Sequence, residues 1–288
     1  MAEQWTIEKL IAWTKQYFSA RGIDTPRLDA EVLLSRILGK DRTYLYVHYD
    51  QPLEAEELAK YRQAVKRRAE RQPVAYITGH KEFMGLDFVV NPAVLIPRPD
   101  TEILAEAALE RLTAPTAPAA PALLDVGTGS GALIVSLLAK LPAATGTAVD
   151  ISEMALEVAA ANARRQKVDD RLTLLKSDLF SALGDRRFDA IVSNPPYIPT
   201  LEIAGLEPEV RYEPVMALDG GQDGLNCYRR LLAGCPKHLE AGGFMAVEVG
   251  EGQAQAVAAL AANLDGLAVS EIRKDYAGIE RVVIVTFN

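Results

Sequence analysis

From Leu123 onward the chain alternates runs that read as buried strands with runs that read as helices: ALLDVG, SGALIVSLLAK, GTAVDI, SEMALEVAAANARRQ, LTLLKSD and FDAIVSN. A strand followed by a helix cannot close a tight hairpin with the next strand. Strands joined through helices return parallel to one another, so the pattern indicates a parallel sheet built from βαβ units. The end of the chain breaks this pattern. After GGFMAVEVG and an Ala-rich helix over 251–263 come LAVSEIRKDY and RVVIVTFN, with no helix between them. Two successive strands make a hairpin, so one of them runs antiparallel to the rest. The expected core is an α/β fold with a mostly parallel seven-stranded sheet over 122–288.

The region before it has a different period. In TIEKLIAWTKQYFSARG, Ile7, Leu10, Ile11 and Phe18 share one helical face, and Gly22 is a stop. DTPRLDAEVLLSRILGK places Thr25 as N-cap and Pro26 at the first helical position, and ends at Gly39. A third helix is expected from about Leu53 to Arg71. Its basic end, Lys66, Arg67, Arg68 and Arg71, suits a helix C-terminus and reads as a solvated face or, more sharply, as a docking patch. Residues 1–84 are thus read as a small helical domain. Over 85–121 follow a hairpin, suggested by alternation in FMGLDFVVNPAVLIP that breaks at Asn91-Pro92, then a helix in RPDTEILAEAALERL. The Pro/Ala-rich TAPTAPAAPA, too poor in large side chains to pack, completes this stretch as a linker.

Charge narrows the function classes. The net charge is −8, and residues 1–84 carry 14 Lys/Arg against 12 Asp/Glu. The acidic excess therefore lies in the second part, a poor match for nucleic-acid phosphates. No apolar run approaches a membrane span, and MAEQWTIEKL lacks the basic-then-apolar layout of a signal peptide. Cys227 and Cys235 are spaced for no metal or redox motif, and His48, His80 and His238 are scattered. No metal site and a cytoplasmic location are expected.

Two motifs carry chemistry. LLDVGTGSG sets Gly127, Gly129 and Gly131 between a strand and a helix, where a ligand can approach the main chain. The next strand ends at Asp150, placed to accept from both hydroxyls of a ribose. Read as Gly127-x-Gly129-x-x-Ala132, the loop also fits a dinucleotide fingerprint, so an NAD enzyme stays open at this point. SNPPYIP, Ser193 to Pro199, decides between them. Pro195 and Pro196 stop the strand at Asn194 and stiffen the turn that presents Asn194 and Tyr197. Such proline pairs often only end a strand, but hydride transfer has no evident need for this turn and methylation of an amino group does.

DVGTGSG with SNPPYIP resembles the S-adenosylmethionine-dependent methyltransferases that act on planar NH2 groups. Two subgroups share the turn: the DNA adenine N6-methyltransferases, and the glutamine methyltransferases of peptide chain release factors, the HemK/PrmC family. The chain is similar to the second along nearly its whole length, through RQPVAYITGHKEFMGLDF, LIPRPDTE and KDYAGIERVV as well. The resemblance implies a Rossmann-like methyltransferase fold behind an N-terminal substrate-recognition domain. It implies S-adenosylmethionine held by Gly127, Thr128, Gly129, Ser130, Gly131, Asp150, Leu179 and Asn194. At Leu179 the family often has a large aromatic. It places the substrate at Asn194, Pro195, Pro196 and Tyr197, with Asn194, Pro195 and Tyr197 catalytic. The implied target is the glutamine of the release factors' Gly-Gly-Gln loop, with no direct nucleic-acid contact.

An amide nitrogen is a poor nucleophile because its lone pair is delocalised. The Asn194 side-chain oxygen and the Pro195 carbonyl can each accept one N–H, aim the nitrogen and stabilise the charge it develops. Asn does this without bringing a charge into a desolvated pocket. PRPDTE reads as a helix cap with Asp100 or Thr101 at its start, or as part of the pocket, and Glu248 as an acid at a strand end on the active edge. A DNA adenine methyltransferase would need a basic cleft and a base-reading domain. A catalytically idle binding module would not need both motifs intact.

Overall fold

A computed structural model describes residues 4–287. The chain forms two compact units: residues up to Gly79 with Glu207–Tyr212, and His80–Leu206 with the chain from Glu213 onward. The boundary falls at Gly79/His80 rather than after residue 84. The reason is a small hairpin, β1 (His80–Phe83) paired antiparallel with β2 (Leu86–Val89), which belongs to the second unit.

The first unit is helical. α1 (Ile7–Ser19) is capped by Thr6, and α2 (Pro26–Leu38) has Pro26 in its first turn and ends at Gly39 in the left-handed region, φ 62°. α3 (Arg42–Val47) and α5 (Val74–Thr78) are too short to show a period in the sequence, and α4 (Ala55–Ala69) carries a capping box between Glu54 and Glu57. Ile7, Phe18, Leu33, Leu34, Leu45 and Tyr61 form its core. The basic end of α4 is not simply a solvated face. Arg68 is buried, donating from Nε to Asp29 Oδ2 at 2.6 Å and from Nη1 to Glu209 Oε1 at 2.7 Å. Arg71 donates to Glu209 Oε2 at 2.8 Å, and Arg67 to Gln72 and the Tyr76 carbonyl.

The hairpin of the second unit turns at Met84 and Gly85, both at positive φ (54° and 79°), and not at Asn91-Pro92, which lies past its end. Paired positive-φ residues match the right-handed twist of a two-residue hairpin. After α6 (Pro99–Leu112) come β3 (Ala122–Val126), α7 (Ala132–Lys140), β4 (Thr145–Asp150), α8 (Glu153–Arg165), β5 (Leu172–Lys176) and β6 (Phe188–Ser193). α9 (Asn226–Gly234), β7 (Leu239–Glu248), α10 (Ala254–Ala262), β8 (Leu267–Lys274) and β9 (Glu280–Phe287) complete it. The seven strands run in the order β5-β4-β3-β6-β7-β9-β8, and β9 alone runs antiparallel to the other six.

Both faces of the sheet are buried, as its apolar strands require. Along β6, Ala190 and Val192 pack with Leu104 of α6 and Ile134 of α7, while Ile191 packs with Tyr228 of α9 and Val257 of α10. α6 therefore packs into the core of the second unit, and residues 113–121 connect it to β3. Strand order reverses on either side of β3, so a crevice opens at the carboxyl ends of β3, β4 and β6.

Candidate active site

The glycine loop spans the end of β3 and the start of α7. Gly127, Gly129 and Gly131 all lie at positive φ (76°, 55° and 76°). A side chain on Gly131 would press on the backbone of Ala159 in α8 at 3.2 Å. A Cβ on Gly127 or Gly129 would meet nothing within 4 Å, so the main chain there faces open cleft. The loop is pinned to β4 by Gly127 and Thr128 amides donating to the Val149 carbonyl, and Asn162 of α8 donates to the Ser130 carbonyl at 2.8 Å. Asp150 accepts from the Gly129 amide at 2.9 Å on Oδ2 and from the Ser152 amide at 2.9 Å on Oδ1. Each oxygen keeps a second lone pair for a ligand. Beneath the loop, burial pushes the Asp125 carboxyl up to about 7, against the Thr128 hydroxyl that bonds it.

These groups line a cleft of about 580 Å3. Thr128, Ser130 and Leu179 line it with Gly127, Gly129 and Asp150. So do Ile151 and Met154, exposed apolar residues beside Asp150 that the sequence reading missed. Leu179 sits on a turn at φ 50°, closed by the Ser177 hydroxyl donating to its carbonyl. Bare main chain, a carboxylate with free lone pairs and apolar side chains around it fit an adenosine and its methionine tail.

The turn after β6 meets the same cleft. Asn194 and Pro196 line it, whereas Pro195 is buried and neither Pro195 nor Tyr197 is a lining residue. Ser193 donates from its hydroxyl to the Val126 carbonyl at 2.7 Å, tying β6 to β3. Asn194 Nδ2 donates to Thr101 Oγ1 at 3.0 Å, leaving Oδ1 as the free end of the amide. The Tyr197 carbonyl accepts from Gln253 Nε2 at 2.9 Å, and a Cβ on Gly224 would lie 2.3 Å from that carbonyl oxygen. Glycine is required there by contact. The Tyr197 hydroxyl points at Glu248 Oε1 across 3.5 Å, and burial pushes its pKa up to about 12, so it stays a donor.

Thr101 and Glu248, which the sequence marks as a helix cap and a strand-end acid, belong to this cluster. α6 is preceded by Arg98 and has no side-chain cap; Asp100 pairs with Arg281, and Thr101 turns inward to Asn194. Glu248 is 2 % exposed, with burial raising its pKa to about 7 against Thr101 and Tyr197, which lower it. Glu213, which no motif marks, is buried and holds the preceding segment by accepting from the Ile96 amide and pairing with Arg98.

A family profile described as PrmC N-terminal domain matches residues 9–79, and one described as Methyltransferase small domain matches residues 101–204. The release factor glutamine methyltransferase of Geobacter sulfurreducens is 49% identical over 282 residues, covering 98% of this chain and 96% of that protein. That of Moorella thermoacetica is 44% identical over 276 residues, covering 96% of each. A solved methyltransferase from Pyrococcus furiosus shares the fold at a TM-score of 0.53 and 19% identity, over 81% of this chain and 98% of that one. With relatives this similar along almost the whole sequence, the chain belongs to the release factor glutamine methyltransferase family.

Proposed function

We propose that the protein transfers a methyl group from S-adenosylmethionine to the side-chain amide nitrogen of the glutamine in the Gly-Gly-Gln loop of peptide chain release factors. The observation that carries this reading is the Asn194 amide, tethered through Nδ2 to Thr101 on the wall of the cleft that also holds Asp150 and the bare glycine loop. When bound, S-adenosylmethionine supplies an electrophilic methyl group on sulfur. Gly127 to Gly131 and Leu179 seat it, and Asp150 takes the ribose hydroxyls. Asn194 Oδ1 and the Pro195 carbonyl accept the two N–H groups of the target amide, hold its nitrogen in line and stabilise the positive charge it gains. Pro196 stiffens the turn, and Tyr197, its hydroxyl turned to Glu248, backs the turn from behind the cleft wall. Asp150→Ala is expected to weaken S-adenosylmethionine binding about tenfold to a hundredfold, for loss of bonds worth ~1.5–3 kcal/mol. Calorimetric titration of the folded variant checks this, and unchanged affinity removes Asp150 from the site.

The first unit recognises the protein substrate, because one glutamine offers few contacts and affinity must come from remote surfaces. It carries a groove of about 310 Å3 lined by Trp5, Trp13, Tyr17, Leu58, Arg62 and Lys66, with Trp13 stacked on Tyr17 and half exposed. Joint replacement of Trp13 and Lys66 by Ala is expected to raise KM for intact release factor about tenfold or more while kcat holds. A KM unchanged in steady-state assays removes the groove from the docking surface. Among the described residues no helix is long and apolar enough to cross a membrane, and both cysteines are free. A translation protein as substrate and free thiols fit a cytoplasmic reaction. The deciding experiment is isotope transfer from labelled S-adenosylmethionine to release factor compared with DNA. Label on DNA alone, or on neither, refutes the proposed function.

A further inference from the structure

Glu248 ends β7 with a backbone fixed on two sides: it pairs with Val282 of β9, and its carbonyl accepts from the Tyr228 hydroxyl at 2.8 Å. Its side chain is less well served. It is almost wholly buried, and Oε2 has no hydrogen-bond partner among the described residues. A buried carboxylate left half unpaired destabilises a fold, and such a group calls for an explanation outside packing.

The groups around it supply one. The Tyr197 hydroxyl points at Oε1 across 3.5 Å, and Thr101 is among the groups that draw the carboxyl's pKa down against the rise that burial causes. Thr101 Oγ1 is also the acceptor for Asn194 Nδ2. A hydroxyl has one hydrogen to give. Were Thr101 to give it to Asn194, the Asn194 amide would turn over and offer its NH2 end, a donor, to a target that is itself a donor. With that hydrogen committed to Glu248, Thr101 has only lone pairs for Asn194, and Oδ1 is left facing the cleft.

We propose that Glu248 is a positioning residue: its carboxylate takes the Thr101 hydroxyl hydrogen, thereby locking Asn194 with its oxygen toward the target amide, and holds the Tyr197 ring by its hydroxyl. This rests on the glutamine reading of the site. Ionisation is part of the device, since a protonated Glu248 could donate to Thr101 and reverse the chain of bonds. Facing Glu248 are Asp100 from α6, which raises its pKa, Arg281 from β9, which lowers it, Tyr197 from the turn and Tyr228 from α9. Burial leaves it ionising at about 7, so the lock tightens as pH rises through that value. Stability runs the other way. The folded pKa is raised, so the group's contribution is full below the usual glutamate range and is lost as pH rises toward 7.

The test compares Glu248→Met, Thr101→Val and Thr101→Ser in the full chain, with a Gly-Gly-Gln release factor as substrate. Met and Val remove the acceptor and the hydroxyl while keeping volume, and each is expected to lower kcat about tenfold to a hundredfold. The calorimetric Kd for S-adenosylmethionine stays within about twofold, and Thr101→Ser retains most of the rate. Glu248→Met raises Tm at pH 8 by several degrees and leaves it little changed near pH 4, whereas loss of a merely structural carboxylate would lower Tm at pH 8. If Glu248→Met does not fold, the role is structural and the proposal falls. An unchanged kcat in Glu248→Met or Thr101→Val, or a Thr101→Ser as slow as Thr101→Val, overturns it as well. A wild-type chain inert toward the release factor would instead overturn the glutamine reading and this inference with it; an active wild type with unaffected variants overturns the positioning role alone.

Discussion

An Asn194→Ala protein is expected to lose kcat by about a hundredfold to a thousandfold, the scale on which removing one preorganised charge-stabilising contact acts. The contact at stake strengthens as the reaction proceeds, because the target nitrogen becomes cationic only while the methyl group is transferred. Its loss therefore appears in kcat and not mainly in KM. Affinity for S-adenosylmethionine should stay within about threefold, since Asp150 and the glycine loop remain. Alanine also removes the donor that Thr101 Oγ1 accepts from, but that bond is between neutral groups and its loss costs about 1 kcal/mol of stability. Single-turnover transfer of labelled methyl, run beside calorimetric titration, separates the two quantities. Turnover near that of the wild type in a folded Asn194→Ala protein would mean that the amide is held by something other than Asn194.

Arg68→Ala is expected to destabilise the first unit by about 3–5 kcal/mol, the penalty for removing one partner of a buried ion pair. The Arg68 side chain is 7% exposed and joins Asp29, at 8%, to Glu209. Without the guanidinium, Asp29 keeps, among the described residues, only the Thr25 hydroxyl as a side-chain donor and must stay buried or drag the first turn of α2 into water. Both tryptophans, Trp5 and Trp13, lie in this unit, so their fluorescence during denaturant titration of the full chain reports its unfolding. Lys66→Ala, on the exposed side of the same helix, serves as the control. Equal midpoints for the two variants would show that the Arg68 cluster adds nothing to the fold.

The architecture of the second unit is legible because both faces of its sheet are buried and every crossover but the one from β5 to β6 contains a helix. The apolar runs and the single hairpin at the end then leave little freedom in strand direction. Asp150 and the glycine loop are legible for a related reason: strand, turn and helix follow one another, and the spacing to the next strand end is local. What the sequence hides depends on residues far apart in the chain. The basic end of α4 looks solvated because Asp29 and Glu209 lie 39 and 141 residues away from Arg68. Thr101 looks like a helix cap because Asn194, to which it bonds, is 93 residues on. The turn at Met84-Gly85 is hidden differently, by a methionine in a left-handed conformation that its side chain does not favour.

Glu207–Tyr212 is covalently part of one unit and compact with the other. The chain is therefore laced, and the two units are not interchangeable cassettes. A fragment ending at Gly79 keeps Asp29 for Arg68 but leaves behind Glu209, which also holds Arg71. A fragment starting at His80 carries the Glu207–Tyr212 stretch without the helix end that binds it. Grafting the first unit of one relative onto the second unit of another must exchange two separate stretches of sequence together. Recombination at a single crossover near residue 79 would mismatch them, leaving the buried Arg68 guanidinium to face whatever the second stretch happens to offer.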